Sequence, residues 1–511
     1  MTHDTAKTSP AAPPAAAAPG GGGTALVEVQ RSRLVKTLRR ADLVYFVVAA
    51  VISIDTIGLL ASSGAQGLLW SAFLAVAFLV PYALVFADTS AAHPGEGGPY
   101  QWVREAFGRF WAAIAVVFYW ITNPIWLGGS LAFVAGLAWT EFVLPGATGL
   151  ADFAFKLVFV WAAILLAIVS LQRGKWVVTA GAVAKLAVLA SLCVTAVVYG
   201  LQEGFTPVPA GDFVPSAGVF LAVVPVALFA YVGFEAPSAA SDEMHDAQKD
   251  TPVAIARGAL ITMLAYVAPV AAIVFVTPAD EIADAGVMAT VQRAYGVYGA
   301  AAEPLVVLTA LAFILALLSQ GSAWMMATDR MQAVAAADGG FFSGWLGEFS
   351  ERFGTPVRMN LVSGVVSTVF LVAATTLVEG PAASVFAVVL TVAVSTLLFS
   401  YLVIVPAMIR LRLTSDAPRP FRVPGDRRGF VVLASVVLAF VVLGSWAAVF
   451  PGTLEALLGI DYDFVDAWGT SRLAFEAFTL GTLAVVVALG VVGYLRGARL
   501  RSSSATGSAS R

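Results

Sequence analysis

The sequence predicts an all-α polytopic membrane protein with twelve transmembrane helices. Of its 511 residues, 59% are hydrophobic and 12% are charged, whereas soluble globular domains carry about 25% charged residues. The apolar residues form repeated runs of the length that a helix needs to cross a bilayer core of about 30 Å. These runs are continuous rather than alternating, so the pattern excludes an outer-membrane barrel.

The apolar runs divide into two groups of six predicted helices. A window of about 19 residues places helices 1 to 6 at residues 41–65, 67–91, 111–140, 153–171, 176–200 and 217–240. Helices 7 to 12 follow at residues 256–277, 302–328, 358–378, 383–410, 429–450 and 473–495.

The basic residues of the loops predict the orientation. An even number of helices puts both termini on one side, and 25 of the 29 Lys and Arg residues fall on that side. Lys156, Arg293 and Arg472 fall opposite, and Lys185 lies within helix 5. Because cytoplasmic loops carry an excess of Lys and Arg, we expect a multi-pass protein of the cytoplasmic membrane with both termini in the cytoplasm.

This topology divides the chain into five segments. Residues 1–40 are predicted to be a disordered, basic cytoplasmic tail, because they are rich in Ala, Pro and Gly. No apolar run precedes residue 41, so a cleaved signal peptide is not expected. The remaining segments are a ten-helix transport core at 41–410, a cytoplasmic loop at 411–428, helices 11 and 12 at 429–495, and a cytoplasmic tail at 496–511.

Cysteine and histidine usage argues against a disulfide or a metal site. Cys193 is the single cysteine, so no intrachain disulfide can form. His3, His93 and His245 lie far apart in polar segments, and a metal site needs several ligands close together. We therefore expect neither a metal nor a cofactor.

Three ionisable residues lie deep in the apolar runs: Asp55 in helix 1, Lys185 in helix 5 and Glu235 in helix 6. Charge inside a membrane is costly, so each is a candidate functional residue. Gly233 and Pro237 flank Glu235, and they cost a helix about 1 and about 3 kcal/mol respectively. Interrupted helices at corresponding places in two halves indicate a transporter site near the midplane. Helices 1 and 6 are five apart, as an inverted repeat of five plus five helices requires.

Structural interpretations of the same residues stay open at this point. Gly and Pro are common in transmembrane helices, where they often only kink the helix or aid packing. Asp55 and Lys185 could form a buried structural ion pair, and Trp324 in helix 8 could be a packing aromatic.

Four motifs in chain order resemble those of the amino acid/polyamine/organocation superfamily of permeases. Each motif alone is weak, but together they extend over residues of about 45 to 425, and the four in order make a strong match. They are Pro94-Gly95-Glu96-Gly97-Gly98-Pro99-Tyr100 with Phe107-Gly108, Phe229 to Ser238 with Asp242-Glu243 and Thr251 to Ile255, Ala337-Asp338-Gly339-Gly340 with Gly354-Thr355-Pro356, and Arg419 to Gly425.

The resemblance implies a leucine-transporter-type fold, in which two inverted five-helix repeats are followed by two extra helices. It also implies that helices 1 and 6 are unwound around the substrate, which places Asp55, Thr56 and Gly233 at the site. By the same resemblance Asn123 is a polar contact and Trp324 an aromatic gate. Tyr231 is implied to be a lid over the ligand.

The sequence departs from the family in helix 1, where Ile54-Asp55-Thr56 replaces the usual G-S/T-G run. A carboxylate there would repel the carboxylate of an amino acid unless Lys185 or the substrate's ammonium neutralises it. An amine without a carboxylate, or a basic amino acid, is therefore a plausible substrate. The position of Lys185 resembles that of a lysine in proton-coupled members, where the ammonium replaces a sodium ion.

We expect a secondary active transporter that moves an amino acid or related amine by alternating access, with Lys185 and Glu235 in proton coupling. An amino acid/polyamine exchanger and a non-transporting nutrient receptor on the same fold are the alternatives. The chain has no Walker sequence for an ATP-driven pump. It also has no Gly-x-Ser-x-Gly nucleophile for an intramembrane enzyme, so we expect no enzyme. The expected partners are a small molecule, a proton and the lipid bilayer, without nucleic acid.

Overall fold

The computed structural model describes residues 40–95, 97–173, 175–238, 244, 246–278, 281–282, 286–377 and 382–509. The N-terminal tail as far as residue 39, Glu96, the acidic pair Asp242 and Glu243, and His245 lie outside the described residues.

The described residues are mainly helical, as predicted. In chain order the α-helices are α1 (Arg40–Val51), α2 (Ile57–Ala61), α3 (Gly64–Leu74), α4 (Val80–Ala92), α5 (Pro99–Phe107), α6 (Arg109–Trp126), α7 (Ala132–Ala138), α8 (Leu150–Arg173), α9 (Lys175–Gln202), α10 (Ala217–Tyr231), α11 (Ala247–Val276), α12 (Val287–Tyr295), α13 (Ala302–Ala337), α14 (Val357–Leu377), α15 (Ala382–Thr414), α16 (Asp426–Val449), α17 (Thr453–Leu457), α18 (Phe464–Trp468) and α19 (Arg472–Ala509). Short π-helical stretches join α3 to α4 and α6 to α7, so each pair forms one long rod.

Within this part of the chain, eleven helical stretches are long and apolar enough to cross a membrane. They correspond to predicted helices 2 to 12, which confirms a multi-pass, all-α membrane protein. Predicted helix 1 is different, because α1 has 12 residues and α2 has five. The exact count of twelve therefore stays a prediction.

Two predicted helices extend well beyond their expected ends. Helix 8, expected to end at residue 328, continues as α13 to Ala337, and helix 12, expected to end at residue 495, continues as α19 to Ala509. Both extensions contain polar residues that the hydropathy window treats as loop. A helix can continue through polar residues once it leaves the hydrocarbon, because water or neighbouring protein then solvates the side chains.

The helices that hold the site pack closely around α1. α11 lies along α1 and α4, α9 lies along α1 and α13, and α15 lies along α6 and α16. The side chains of α1 from Val47 to Val51 are almost completely buried. The first helix is therefore enclosed by other helices rather than facing lipid, which is where an interrupted membrane helix is tolerated.

Candidate functional site

Residues 52–56 interrupt the first predicted helix between α1 and α2. A helix end leaves its last carbonyl groups without partners inside the helix, and in a membrane each such group needs another donor. Side chains of three other helices supply these donors. The pairs are Lys185 with the carbonyls of Ala49 (2.8 Å) and Ile52, and Trp324 with Ala50 (2.7 Å). The hydroxyl of Tyr266 lies 3.1 Å from the carbonyl oxygen of Val51 and shares its one hydrogen between this oxygen and a carbonyl of α10. The break is therefore stabilised by these side chains, without a glycine in the segment.

Tyr266 of α11 also joins this break to the one that follows α10. Its hydroxyl accepts a hydrogen bond from the backbone N–H of Ser53 at 2.7 Å. The same hydroxyl lies 2.7 Å from the carbonyl oxygen of Ala230, near the end of α10. One buried phenol therefore holds the two interrupted helices at a fixed separation.

A chain of polar side chains connects Lys185 to Asp55. Nζ of Lys185 donates to Oε1 of Gln320 at 2.7 Å, and Nε2 of Gln320 donates to Oδ1 of Asp55 at 2.8 Å. The other carboxylate oxygen of Asp55 accepts from Nε1 of Trp126 at 3.0 Å. Lys185 and Gln320 are completely buried, and Asp55 is 7% exposed. The direct ion pair that the sequence left open does not form in this structure, and the amide of Gln320 bonds to both charged groups instead.

Gly233 lies in the second break, directly after α10. Its φ of 123° is in the region that favours glycine. A Cβ atom at this position would lie 2.8 Å from Cζ2 of Trp324. Its backbone N–H donates to the hydroxyl of Tyr82 at 3.0 Å. Both the backbone conformation and the close approach of the indole therefore require a residue without a side chain.

Three tyrosines from three helices surround the carboxyl group of Glu235. Tyr119 and Tyr401 both donate to Oε1, each at 2.5 Å, and Tyr82 donates to Oε2. The hydroxyls of Tyr82 and Tyr401 also lie 3.0 Å apart. Glu235 has no exposed surface, and its carboxyl group is solvated by phenols instead of water.

The helix α6 presents one face to both breaks. Tyr119, Asn123 and Trp126 lie at i, i+4 and i+7, which places them on the same face of a helix. Tyr119 contacts Glu235 and Trp126 contacts Asp55. Asn123 is buried between them, and its amide donates to the carbonyl of Tyr119 at 3.2 Å. The predicted role of Asn123 as a polar contact of the substrate stays a prediction.

The remaining predicted residues also lie near the breaks. The hydroxyl of Thr56 donates to the carbonyl of Ser53 at 2.8 Å, within the first break. Trp324 is 5% exposed and lies between Gly233 and the end of α1. The hydroxyl of Tyr231 donates to the carbonyl of Ser71 in α3 at 2.9 Å. The gate and lid roles of Trp324 and Tyr231 stay predictions.

Sequence reasoning missed several members of this arrangement. A glutamine or tyrosine in an apolar run carries no charge, so a search for buried charges does not find it. Asp329 was missed for another reason: it lies just past the predicted end of helix 8, beside Arg330, yet it is completely buried and accepts from Trp120, Asn360 and Ser363. The other missed residues are Gln320, Tyr266, Tyr82, Tyr119 and Tyr401.

Comparison with known proteins identifies the family. The profile of the amino acid permease family matches residues 38–457, which is most of the chain. The chain belongs to the amino acid permease family. The resemblance to the wider superfamily of amino acid, polyamine and organocation permeases is thereby confirmed.

Two curated relatives of this permease carry informative names. A probable agmatine/putrescine antiporter of Lactococcus lactis is 26% identical over 384 residues, covering 74% of this chain and 81% of the relative. An uncharacterized transporter of Legionella pneumophila is 28% identical over 404 residues, covering 76% of this chain and 84% of the relative. Membership of the family makes the permease a transporter of small molecules across a membrane.

The arrangement in the permease suits recognition of a cation and storage of protons. It presents a buried carboxylate, a buried amine and a second buried carboxyl at two helix breaks, each with well-defined hydrogen bonds. Among the described residues there is no group of three His, Cys, Asp or Glu side chains that could hold a metal ion.

Proposed function

We propose that this permease is a secondary active transporter that moves an organic amine across the cytoplasmic membrane by alternating access, coupled to protons. The proposal rests on the hydrogen-bond partners of Asp55. Its carboxylate accepts hydrogen bonds from Gln320 and Trp126, both neutral, and no cationic group of the described residues pairs with it directly. Because a buried carboxylate in a membrane is costly without a partner, a cationic group of the substrate is the natural counter-ion.

The substrate we propose is an amine that lacks a carboxylate. An amino acid would bring its own carboxylate close to Asp55, and the two like charges would repel at low dielectric. The Lactococcus relative is named for agmatine and putrescine, which are both amines without a carboxylate. A basic amino acid is the second candidate substrate.

Counting hydrogens supports a protonated Lys185 in this conformation. Its nitrogen has three oxygen neighbours, which are the carbonyls of Ala49 and Ile52 and the amide of Gln320. An ammonium group has three hydrogens and satisfies all three. A neutral amine has two hydrogens, so loss of the proton would release one of the three contacts. We propose that this release links the proton on Lys185 to the opening of the break.

The same count supports a protonated Glu235. Four close oxygen pairs connect its carboxyl group and the hydroxyls of Tyr82, Tyr119 and Tyr401. An ionised carboxylate leaves three hydrogens for four pairs. A protonated carboxyl supplies the fourth by donating to Tyr82 or Tyr401, whose own hydrogen then serves the pair between these two hydroxyls. We propose Glu235 as the second proton carrier, at the break that follows α10.

Flux into proteoliposomes tests this function. Uptake of radiolabelled putrescine and agmatine would be measured with an imposed pH gradient or an imposed sodium gradient. We expect the pH gradient to drive accumulation, the sodium gradient to have no effect, and Lys185→Ala to lose the part of the pH dependence that does not come from Glu235. Lys156→Ala is the matched control, because Lys156 is also buried but pairs with Asp152 at 2.6 Å, away from the breaks.

Three results would contradict the proposal. Accumulation driven by sodium, or an unchanged pH dependence in Lys185→Ala, would remove Lys185 from the mechanism. Binding of amines without flux would instead indicate a nutrient receptor. The relative's name favours exchange as the second candidate, and counterflow of unlabelled amine without a pH gradient would support it.

A further inference from the structure

Gln320 of α13 lies between the two buried charged groups at the first break, Lys185 and Asp55. It is completely buried, and its side-chain amide points into the space between α9 and the first break. Oε1 accepts from Lys185 at 2.7 Å and from the backbone N–H of Ile54 at 3.3 Å, and Nε2 donates to Asp55 at 2.8 Å. The amide dipole is therefore aligned, with its oxygen toward the cation and its nitrogen toward the anion.

Lys185 and Asp55 each bond to the amide of Gln320 and not to each other. A lysine and a carboxylate that share a buried space attract each other strongly, because the dielectric there is low. A lysine side chain is long and flexible, so it would reach the carboxylate if the intervening space were empty. Instead each charge bonds to one end of the same amide. The carboxylate of Asp55 is thus kept from direct neutralisation by Lys185.

We propose that Gln320 is a spacer that keeps Lys185 and Asp55 from forming a direct ion pair, so that Asp55 stays able to bind the cationic group of a substrate. The inference rests on the proposed function, in which Asp55 binds an amine. Gln320 is a positioning residue, because it acts through Asp55 and Lys185 rather than on the substrate itself.

The spacer also links binding of the amine at Asp55 to the proton on Lys185. With Gln320 in place, a cation bound at Asp55 and the ammonium of Lys185 are like charges in a space of low dielectric, so they repel each other. Binding of the amine therefore favours release of the proton from Lys185, and by linkage protonation of Lys185 weakens binding of the amine to the same extent. Asp55 is the charged side chain that interacts with Lys185, and Glu235 is held separately by its three tyrosines.

Binding of radiolabelled putrescine and agmatine to the purified full-length protein tests the spacer. We expect Gln320→Ala to weaken binding by about tenfold or more, within the usual range of coupling between sites, because Lys185 then occupies Asp55. Removing the lysine charge should reverse this loss. Lys185→Gln keeps two hydrogens for the carbonyls of Ala49 and Ile52, and Lys185→Gln with Gln320→Ala should bind as tightly as Lys185→Gln alone.

Two binding results would overturn the spacer. Unchanged affinity in Gln320→Ala means that the amide does not protect Asp55. An affinity of the double variant as low as that of Gln320→Ala means that Gln320 only supports the fold, because removal of the competing ammonium did not help.

Thermal unfolding gives a measurement that needs no ligand. In a double-mutant cycle, Lys185→Gln and Asp55→Asn should couple weakly in the wild-type background, where both residues bond to the amide of Gln320. They should couple more strongly in the Gln320→Ala background, where the direct pair forms. Equal coupling in both backgrounds would contradict the spacer even if no amine binds. Failure of the wild-type protein to bind either amine, with the stronger coupling present in Gln320→Ala, would contradict the proposed substrate and leave the spacer supported.

Discussion

At the scale of single residues, Asp55 is the clearest test of substrate charge. Asparagine has the same shape but one acceptor oxygen, so Asp55→Asn removes the charge and keeps only one of the two hydrogen bonds from Trp126 and Gln320. We expect binding of putrescine to weaken by roughly 30-fold or more, because losing one partner of a buried charge pair costs about 2–5 kcal/mol. Binding of a neutral amino acid should change less. A thermal-shift assay with each ligand measures both effects. Equal losses for cationic and neutral ligands would mean that Asp55 is structural.

A second prediction concerns the stability of Glu235 variants, which depends on whether the carboxyl group of Glu235 is protonated. Glutamine has one acceptor oxygen and one donor nitrogen, so it can replace a protonated carboxyl among the three tyrosines. We expect Glu235→Gln to unfold near the wild-type temperature. Glu235→Ala should lose about 3 kcal/mol or more, because it opens a cavity and removes the acceptor of buried hydroxyls.

Thermal unfolding in detergent separates these two variants, and uptake assays add a functional measurement. Glu235→Gln should still bind the amine but should no longer respond to pH through this site. If Glu235→Gln is as destabilised as Glu235→Ala, the carboxyl group is ionised in the folded protein and the hydrogen count is wrong.

At the scale of elements, the break after α10 depends on Gly233. Alanine there would have to adopt a φ of 123° and would place its Cβ against the indole of Trp324. Backbone strain of this kind costs about 1–3 kcal/mol, before any displacement of the indole. We expect Gly233→Ala to lower the unfolding temperature and to abolish transport.

Gly481→Ala is the matched control for this substitution. Gly481 lies within α19, and a Cβ there would meet nothing within 4 Å. Alanine is favoured over glycine inside a helix by about 1 kcal/mol, so we expect this variant to be as stable as the wild type or slightly more stable. Normal transport by Gly233→Ala would show that the second break does not need the glycine conformation.

The two breaks also show what sequence reasoning can and cannot predict about these elements. The long helices were predictable because a bilayer needs about 20 apolar residues in succession, and Asp55, Lys185 and Glu235 stood out because charge is rare there. The partners were not predictable from periodicity. Whether a tyrosine hydroxyl faces lipid or a carboxyl group depends on how the helices pack, and Tyr82 and Tyr401 are 319 positions apart in sequence.

At the scale of the whole molecule, two buried aspartates tie together helices and loops that are distant in sequence. Asp88, near the end of α4, accepts from the side chain of Arg419 at 2.5 Å and from the backbone N–H of Val423 at 3.0 Å. This contact attaches the loop between α15 and α16 to α4. The other aspartate, Asp338, directly follows α13, and both residues have completely buried side chains.

The turn after α13 is also covered by the last helix. The backbone N–H of Phe342 donates to the carbonyl of Gly493 at 2.8 Å, and the guanidinium of Arg501 donates to the carbonyl of Gly339. The extension of α19 beyond its predicted end thus contacts the same turn that Asp338 begins. Because α13 carries Gln320 and Trp324, this end of the molecule anchors the helix on which the site depends.

Asp338 allows a prediction about this anchoring. Arg109 donates to both of its carboxylate oxygens, at 2.9 and 3.2 Å, and Tyr100 donates at 2.8 Å. Burial and the neighbouring carboxylate raise the pKa of Tyr100 well above its ordinary value, so its phenol stays protonated and donates throughout the physiological range. Asparagine replaces one of the two carboxylate oxygens by a donor NH2 group, so Asp338→Asn breaks the two-point contact with Arg109.

We expect Asp338→Asn to lower the free energy of unfolding by about 2 kcal/mol, below the 3–5 kcal/mol of a fully buried pair, because Arg109 is 37% exposed. Glu348→Gln is the control. Glu348 pairs with Arg358, whose side chain is as exposed as that of Arg109 (37%), but Glu348 itself is 52% exposed. Exposed pairs contribute about 0–1 kcal/mol, so this control should unfold almost as the wild type does. Thermal unfolding of both variants in detergent compares them directly. Equal stability of Asp338→Asn and Glu348→Gln would mean that the charge of Asp338 does not contribute to the anchoring of α13.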